Sequence, residues 1–253
     1  MAESVKVVVP WHNATQLTSF LDAWDVKRND PRLHLQQDKD KLGCACTKNA
    51  GIQSAASDIV IVLDDDCYPH DMTLDQFIAW HVSGLNDAEV ARFAPVTEPS
   101  SRGTPYLNRR LKMPAAASLG FWVGVGDYDA PGQLVHGPEH PMRFQIEPLF
   151  GSYFPLCGMN VAFRPREWWP WCQFINVPRF DDIWMGFLWQ REAYRRGHCF
   201  RFDGPLVRHV RQSNVWQNLR DEAVHLEANE TLWSRIAAHP ASDYETLRQL
   251  LPV

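Results

Sequence analysis

Hydrophobic and polar positions follow two periods along the first hundred residues of the chain. Short β-branched or alternating runs predict four strands, and apolar residues at helical spacing predict three helices between them. The predicted strands cover residues 5–10, 33–38, 58–63 and 90–95. The predicted helices cover residues 15–24, a segment capped by Thr47 that runs through residue 55, and residues 73–85. The order β-α-β-α-β-α-β is typical of a parallel sheet with helices on both faces.

The second half of the chain is less regular. From residue 96 to about residue 155 the pattern gives way to proline, glycine and aromatic residues, and such a long irregular segment predicts a functional loop region. Regular patterns then return. They predict a strand at residues 157–163, a helix at 182–196, a strand pair within 199–210 that is split at Gly204 and Pro205, and helices from residue 214 onward.

Composition and charge narrow the class of protein. The 253 residues are 45% hydrophobic and 22% charged, which suits one α/β domain with a large core. The net charge of −5 argues against the broad basic surface of a nucleic-acid-binding protein. No apolar stretch approaches the roughly 18 residues of a membrane helix, and the first residues lack the apolar segment of a signal peptide. We therefore expect a cytoplasmic protein without a membrane partner.

Three consecutive aspartates, Asp64, Asp65 and Asp66, follow the most apolar of the predicted strands. Adjacent like charges repel unless a cation compensates them. Ligands of open α/β sheets bind at the carboxyl ends of the strands, where this run falls. Mg²⁺ or Mn²⁺ held by one or two carboxylates and a diphosphate suits such a place. The alternative is a solvated acidic turn before the next helix.

Several strings of residues, taken together and in order, resemble one known family. They are the strand with the aspartates and Cys67, residues 127–131 with 133–135, residues 154–163 and residues 180–186, with 103–105 and 118–122 between them. The chain resembles the reversibly glycosylated polypeptides, whose plant members are UDP-arabinopyranose mutases, from about residue 5 to residue 233. The resemblance implies a glycosyltransferase-A fold, which is a single α/β domain with a Rossmann-like, mostly parallel central sheet flanked by helices. It also implies a UDP-sugar donor, Mn²⁺ or Mg²⁺ as cofactor, and chemistry at the anomeric carbon.

The same resemblance implies a division of labour along the chain. Residues 1–96 form the half that binds the nucleotide sugar, and residues 97–253 form the acceptor and catalytic half with the C-terminal helices. The expected metal ligands are Asp66, Asp64 and His209. The expected catalytic residues are Asp182, Arg109 and Asp181. The expected substrate-binding residues are Asp64, Asp65, Pro10, Asp38, Lys48, Arg110, Trp184 and Asn160.

Three of these assignments leave alternatives open. Arg109 matches the arginine that is glycosylated in the family, but one inserted residue makes Arg110 a rival, and an arginine fork also suits a diphosphate or a surface salt bridge. Asp181 and Asp182 precede a predicted helix, so that one of them is expected to cap it and the other, Asp182, to contact sugar hydroxyls or act as base. His209 is either a metal ligand or a structural histidine.

The function that follows is a metal-dependent glycosyltransferase with a UDP-pentose donor, such as UDP-arabinose, and an unidentified acceptor. The nearest alternative is a UDP-arabinopyranose mutase. Glycosylation of a modified DNA base is a third possibility, because residues 102–112 and 191–211 are rich in basic side chains. A non-catalytic sugar-binding module is the fourth. Trp168, Trp169 and Trp171 could form an acceptor platform, and an oligomer is possible.

Overall fold

The computed structural model describes residues 3–86, 89–93, 107–125, 129–136, 151, 153–210 and 214–252, with the backbone alone at 89–93, 107–112, 136 and 203. In this part of the chain the strands are β1 Val5–Trp11, β2 Leu33–Gln37, β3 Ile59–Leu63, β4 Cys67–Pro69, β5 Glu89–Phe93, β6 Leu107–Lys112, β7 Ala115–Gly124, β8 Asn160–Phe163 and β9 Cys199–His209. The helices are α1 Ala14–Ala23, α2 Cys44–Ser54, α3 Leu74–Asn86, α4 Ala130–His136, α5 Pro165–Trp168, α6 Asp181–Arg195, α7 Val215–Glu222, α8 Leu226–Ala238 and α9 Tyr244–Arg248.

The central sheet has seven strands in the order β2-β1-β3-β8-β7-β9-β4. β1 pairs in parallel with β2 and β3, and β7 pairs in parallel with β9, whereas β8 and β4 run against their neighbours. Five of the seven strands therefore point the same way. The α/β class and the mostly parallel central sheet expected from the sequence are confirmed.

The inner strands are apolar because helices cover both faces of the sheet. All five residues of β3 are fully buried, as are the three central valines of β1. One core cluster surrounds Phe20 and Phe77 of α1 and α3, and the other surrounds Trp184 and Trp189 of α6. Asn13 begins α1 as a cap, since its Oδ1 accepts from the Thr15 amide at 2.9 Å. The cluster around α6 also receives the C-terminal helix α8.

Several predicted elements are wrong. The strand predicted at residues 90–95 does not join the parallel sheet, because β5 pairs antiparallel with β6 in a separate two-stranded sheet. The predicted loop region of residues 96–155 contains β6, α4 and the ten-residue β7. Thr47 does not cap α2, which begins after Gly43, and its hydroxyl donates to the Gly43 carbonyl at 2.8 Å instead.

Two further expectations are also wrong. The predicted strand pair at 199–210 is the single strand β9. Gly204 lies close to the β7 backbone, so the pairing of β9 with β7 shifts register near this residue and β9 continues. Trp168 and Trp171 are 0% and 6% exposed, so they fill the core and do not form an acceptor platform. No helix within the described residues is long and apolar enough to span a membrane.

A buried polar contact joins β7, β8 and α3. Asn160 of β8 lies against Gly120 of β7, where any Cβ atom would overlap its side-chain amide. Its Oδ1 lies 2.8 Å from Nε2 of His81, and its Nδ2 donates to the Pro205 carbonyl at 2.9 Å. His81 is fully buried, and Nδ1 of its ring lies 3.1 Å from the hydroxyl of Ser118. Asn160 thereby uses space that only a glycine at position 120 leaves open.

Candidate active site

A cavity of about 430 Å³ opens where β3 and β9 end and β4 begins, near the start of α6. Apolar side chains from β7, β9 and the segment before β8 form one part of its wall. The other part is polar and mostly charged. The polar lining residues are Lys48, Asp64, Asp66, Asp129, Gln133, Arg179, Asp181, Asp182, His209 and Glu222. This arrangement brings together six residues that the sequence predicts for the site.

The aspartate run that follows β3 divides between the cavity and the core. Asp64 and Asp66 line the cavity, whereas Asp65 is buried and accepts a hydrogen bond from Nε2 of Gln16 of α1 at 2.9 Å. The backbone fixes the turn, because the Asp64 amide donates to Met159 and the Asp66 carbonyl accepts from the Val210 amide, both at 3.1 Å. Two of the three carboxylates are therefore available to a ligand.

Lys48 of α2 lies beneath Asp64, and its ammonium is almost completely buried. Its Nζ lies 3.0 Å from each oxygen of Asp64, and it also donates to the Gly158 carbonyl at 3.3 Å. Burial by itself lowers the pKa of Lys48, but nearby anionic groups, led by Asp64, outweigh burial and raise that pKa well above its usual value. Lys48 therefore stays charged and compensates Asp64.

The Gly158 peptide connects this pair to the second acidic motif. Its amide donates to Oδ2 of Asp182 at 2.7 Å, and Oδ1 of Asp182 accepts from the Ile183 amide at 2.8 Å. Neither Asp181 nor Asp182 is the cap residue of α6, since Phe180 holds that position and both aspartates lie in the first turn. A carboxylate is favourable there because the helix dipole is positive at its N-terminus. Lys48 and Gly158 thus link the two acidic motifs.

Asp66 and His209 lie together because β4 pairs with β9, which puts Cys67 opposite His209. Nε2 of His209 is 3.5 Å from Oδ2 of Asp66, and both side chains are buried. Nδ1 of His209 lies 2.8 Å from the Val125 carbonyl, which can only accept, so Nδ1 carries a proton. In the neutral ring, Nε2 then presents a lone pair next to a carboxylate, and a cation relieves that arrangement.

The donor set fits a hard divalent ion in part. No group of three or more His, Cys, Asp or Glu side chains among the described residues is arranged to hold a metal. Asp66 and His209 offer one oxygen and one nitrogen ligand. In some Mg²⁺ and Mn²⁺ sites, one or two side chains hold the ion, and a substrate diphosphate and water supply the other ligands. Two side-chain ligands are enough for a site of that kind.

The opposite rim of the cavity is held by Glu222 of α7. Its Oε1 lies 2.9 Å from Nε of Arg179, and its Oε2 accepts from the Ala130 amide at 2.6 Å. Two further lining residues are Asp129, which directly precedes α4, and Gln133, which lies within it. The Asp129 side chain accepts from the Gly132 amide at 2.8 Å. Glu222 therefore joins the start of α4 to the residues that precede α6.

The other predicted site residues whose side chains the structure describes do not line the cavity. Asp38 accepts from the amides of Leu42 and Gly43 and so shapes the turn into α2. Pro10 is buried in β1, and Trp184 is buried in α6, where its Nε1 donates to Asn229 at 3.1 Å. Asp65 and Asn160 are buried as described above. Arg109 and Arg110 lie on β6, opposite Arg92 and Ala91 of β5, and their side chains are outside the described part of the structure.

Sequence reasoning missed Arg179, Glu222, Asp129 and Gln133 as lining residues. The strings 127–131 and 133–135 contain two of them and could have signalled the site. Residues 126–128 lie outside the described residues. Arg179 stands one residue before the string 180–186, but Glu222 carries no local signal because its partners are 43 and 92 residues away.

Comparison with solved structures defines the fold class. Glucosyl-3-phosphoglycerate synthase from Mycobacterium tuberculosis, in complex with Mn²⁺, UDP-glucose and phosphoglyceric acid, superposes with a TM-score of 0.50 at 13% identity, over 95% of this chain and 82% of that one. Residues 1–349 of S. aureus TarS give 0.50 at 12% identity, over 98% and 69%. The fold is that of the glycosyltransferase-A enzymes, as expected.

The chain belongs to the reversibly glycosylated polypeptide family, whose model matches residues 43–235. It is 30% identical to probable UDP-arabinopyranose mutase 1 of Pisum sativum over 197 residues, which are 71% of this chain and 53% of that protein. It is 28% identical to UDP-arabinopyranose mutase 1 of Arabidopsis thaliana over 199 residues, or 71% and 54%. The chain spans about half the length of these curated relatives. The family expected from the sequence is confirmed.

Proposed function

We propose that this protein is a metal-dependent enzyme that breaks the bond between the anomeric carbon and the diphosphate of a UDP-pentose. UDP-arabinopyranose is the proposed substrate, because the relatives that match the chain are named as mutases of that compound. The observation that carries the proposal is the acidic cavity, in which Asp64, Asp66 and His209 lie with Asp181 and Asp182.

Electrostatics supports the need for a metal. Six carboxylates line the cavity, against the two permanently charged basic side chains Lys48 and Arg179. Lys48 is already matched to Asp64 and Arg179 to Glu222. An anionic diphosphate would be repelled by such a wall, and a divalent cation between the diphosphate and Asp66 removes the repulsion. When bound, the ion would neutralise the charge that grows on the departing diphosphate.

The residues of the chain divide the remaining work. Asp66 and His209 would hold the ion, and Asp64, oriented by Lys48, would accept hydrogen bonds from the nucleoside. The sequence favours Asp182 as the base, but two amide donors already occupy its oxygens and compete with any proton that it would accept. We therefore assign Asp182 to orient the sugar hydroxyls and Asp181 to transfer the proton.

The proposed reaction is a rearrangement of the donor. The bond from C1 of the sugar to the diphosphate oxygen breaks, and the hydroxyl oxygen O4 bonds to C1 and loses its proton. The ring bond between C1 and O5 then breaks as O5 takes up a proton, and the diphosphate oxygen bonds to C1 again. No external acceptor is consumed. The cavity serves this reaction because it encloses the sugar between the aspartates that start α6 and the proposed metal ligands, which limits attack by water.

Transfer to an external acceptor is the second candidate. The observation that favours it is an aromatic wall of Phe121, Phe154 and Phe202, in which the rings of Phe154 and Phe202 are 4.5 Å apart between centroids. Aromatic faces cover apolar parts of a sugar or an acceptor. Glycosylation of DNA is the weaker alternative for the second basic segment, in which Arg195 and Arg196 are both paired with Glu192. The side chains of the first basic segment, 102–112, lie outside the described part of the structure.

Calorimetric titration with UDP, in Mn²⁺ and in EDTA, tests the metal-dependent site. The unchanged protein should bind UDP only with the metal, and Asp66→Asn should weaken binding by more than about 100-fold, because loss of a ligand exceeds the 10–100-fold cost of outer-shell changes. Asp71→Asn is the matched control, since its side chain is 95% exposed. Equal binding in EDTA, or by Asp66→Asn, would refute the assignment.

Product analysis separates the two reactions. UDP-arabinopyranose is incubated with the protein and Mn²⁺, with and without sugar or aromatic acceptors, and the products are resolved by chromatography. Formation of UDP-arabinofuranose without an acceptor is expected. Consumption of the donor only when an acceptor is present would replace the mutase reaction by the transferase reaction.

A further inference from the structure

The carboxylate of Glu222 is buried at the rim of the cavity, where its two oxygens serve two different parts of the wall. Glu222 is 1% exposed, and its contacts are Nε of Arg179 at 2.9 Å and the Ala130 amide at 2.6 Å. A buried carboxylate is stable only when its oxygens are matched by donors. Both donors here belong to segments that line the cavity, so the position of each segment depends on Glu222.

The helix that carries Glu222 buries two polar residues. α7 buries the polar residues Asn218 and Glu222, whereas Trp216 of the same helix is 62% exposed. Asn218 donates to Oε1 of Gln133 of α4 at 3.3 Å. A surface helix normally buries its apolar face, because apolar burial provides most of its stability. The two buried polar side chains contact residues that line the cavity or adjoin it, which indicates that the inner face of α7 serves the cavity.

Arg179 is held in an unusual backbone conformation. Its φ angle is +68°, in the left-handed region that residues other than glycine rarely adopt. The residue lies immediately before the cap of α6 and the Asp181–Asp182 pair, and its side chain lines the cavity. The contact through Nε orients the guanidinium plane, in the way that an outer carboxylate orients a functional side chain.

We propose that Arg179 contacts the departing diphosphate and that Glu222 is the positioning residue that aims it. This inference rests on the proposed function. A guanidinium presents a rigid fork of N–H donors that matches phosphate oxygens, and a cation fixed beforehand stabilises charge that develops as the glycosyl bond breaks. Arg179 would thus perform one of the roles that the sequence leaves open for Arg109, contact with the diphosphate. The effect falls on turnover more than on donor affinity.

The test compares Glu222→Gln, Arg179→Lys and the double variant. In Glu222→Gln the new amide keeps the shape of the carboxylate but has one acceptor oxygen for two donors, so the guanidinium loses its fixed orientation. Each single variant should lower kcat on UDP-arabinopyranose by roughly 10- to 100-fold, because the charge on the departing diphosphate loses a correctly oriented donor. The affinity for UDP in Mn²⁺ should change by less than about threefold in each variant. The double variant should be no slower than Arg179→Lys alone, because Glu222 acts through Arg179.

Two further measurements make the test decisive. Asp221→Asn, on the same helix, is the control and should keep normal kcat. Hydrogen exchange at residues 130–136 should rise in Glu222→Gln, because the Ala130 amide loses its buried acceptor. Normal kcat in Glu222→Gln, or additive losses in the double variant, would overturn the role of Glu222. If Glu222→Gln does not fold, normal kcat in Arg179→Lys overturns the role of Arg179. Failure of the unchanged protein to bind UDP would instead overturn the proposed function, and the assignment of Arg179 with it.

Discussion

Replacing Lys48 by methionine tests the contact that links the two acidic motifs. The substitution keeps most of the side-chain volume and removes the ammonium that lies 3.0 Å from both oxygens of Asp64. It also removes the hydrogen bond to the Gly158 carbonyl and the contact with the ring of Phe174, whose centroid is 5.0 Å from Nζ. Asp64 then keeps its charge without this cation.

The size of the effect follows from burial. Removing one partner of a fully buried ion pair lowers the free energy of unfolding by about 3–5 kcal/mol. The side chain of Lys48 is 4% exposed but that of Asp64 is 23% exposed, so water stabilises part of the remaining charge. We expect Lys48→Met to lower the free energy of unfolding by about 2–3 kcal/mol. For a chain of this length that corresponds to a fall in Tm of roughly 5–10 °C.

Urea unfolding of a double-mutant cycle measures the pair itself. The cycle uses Lys48→Met, Asp64→Asn and the double variant, with Lys41→Met as an exposed control. The coupling energy should exceed about 1 kcal/mol, and the control should stay within about 0.5 kcal/mol of the unchanged protein. A coupling below about 0.5 kcal/mol would show that Lys48 and Asp64 act independently and would refute the argument.

Three other predictions concern the site and its support. Asp181→Asn should lower kcat at least about 100-fold with little change in Tm. Asp182→Asn should lower kcat and also lower the free energy of unfolding by about 1–2 kcal/mol, because its side chain loses the hydrogen bond from one backbone amide. Equal stability of the two variants would contradict this prediction. Gly158→Ala should cost about 1–3 kcal/mol and reduce kcat, since the added Cβ would overlap the Phe174 ring and lie 3.0 Å from Cβ of Asp182; unchanged activity would contradict it. Burial lowers the pKa of His81 from 6.5 to about 4, against a smaller opposing effect of its hydrogen bonds. As pH falls from 6.5 to 4, the unfolded chain therefore takes up a proton before the folded chain does, and the free energy of unfolding should drop by up to about 3 kcal/mol. Urea titrations at several pH values measure this drop, and His81→Gln should remove the contribution of His81 to it.

The elements that the sequence predicts correctly are those with strong local patterns. β3 and the aspartates after it combine a β-branched run with a sharp change to charge, which few other structures explain. β7 escaped prediction because it starts with three alanines and contains two glycines, and both residue types are poor strand formers. It is a strand because α3 packs closely on it, where Gly84 approaches the Ser118 hydroxyl. Tertiary packing, and not local preference, decides that segment.

The candidate site was only partly predictable for a similar reason. Asp64, Asp66 and Asp182 belong to strings that mark them in the sequence, whereas His209 lies outside those strings and was expected only from the family resemblance. The three aspartates form a turn between β3 and β4, which is closed by the Cys67 amide donating to the Asp64 carbonyl at 3.0 Å. This turn directs Asp65 to Gln16 and leaves Asp64 and Asp66 at the cavity. The Arg179–Glu222 contact depends on how α7 packs, which no local pattern encodes.

The close approach of Asn160 to Gly120 has a consequence for how this protein can change over time. The two positions are 40 residues apart and share one small volume, which the Pro205 carbonyl also bounds. A Cβ atom at position 120 would lie 2.1 Å from Nδ2 of Asn160 and 2.4 Å from that carbonyl oxygen, so a smaller residue at position 160 does not by itself make room for alanine at position 120. Related sequences should therefore keep glycine at position 120 even where position 160 varies, and a change of Asn160 would remove the amide partner of His81.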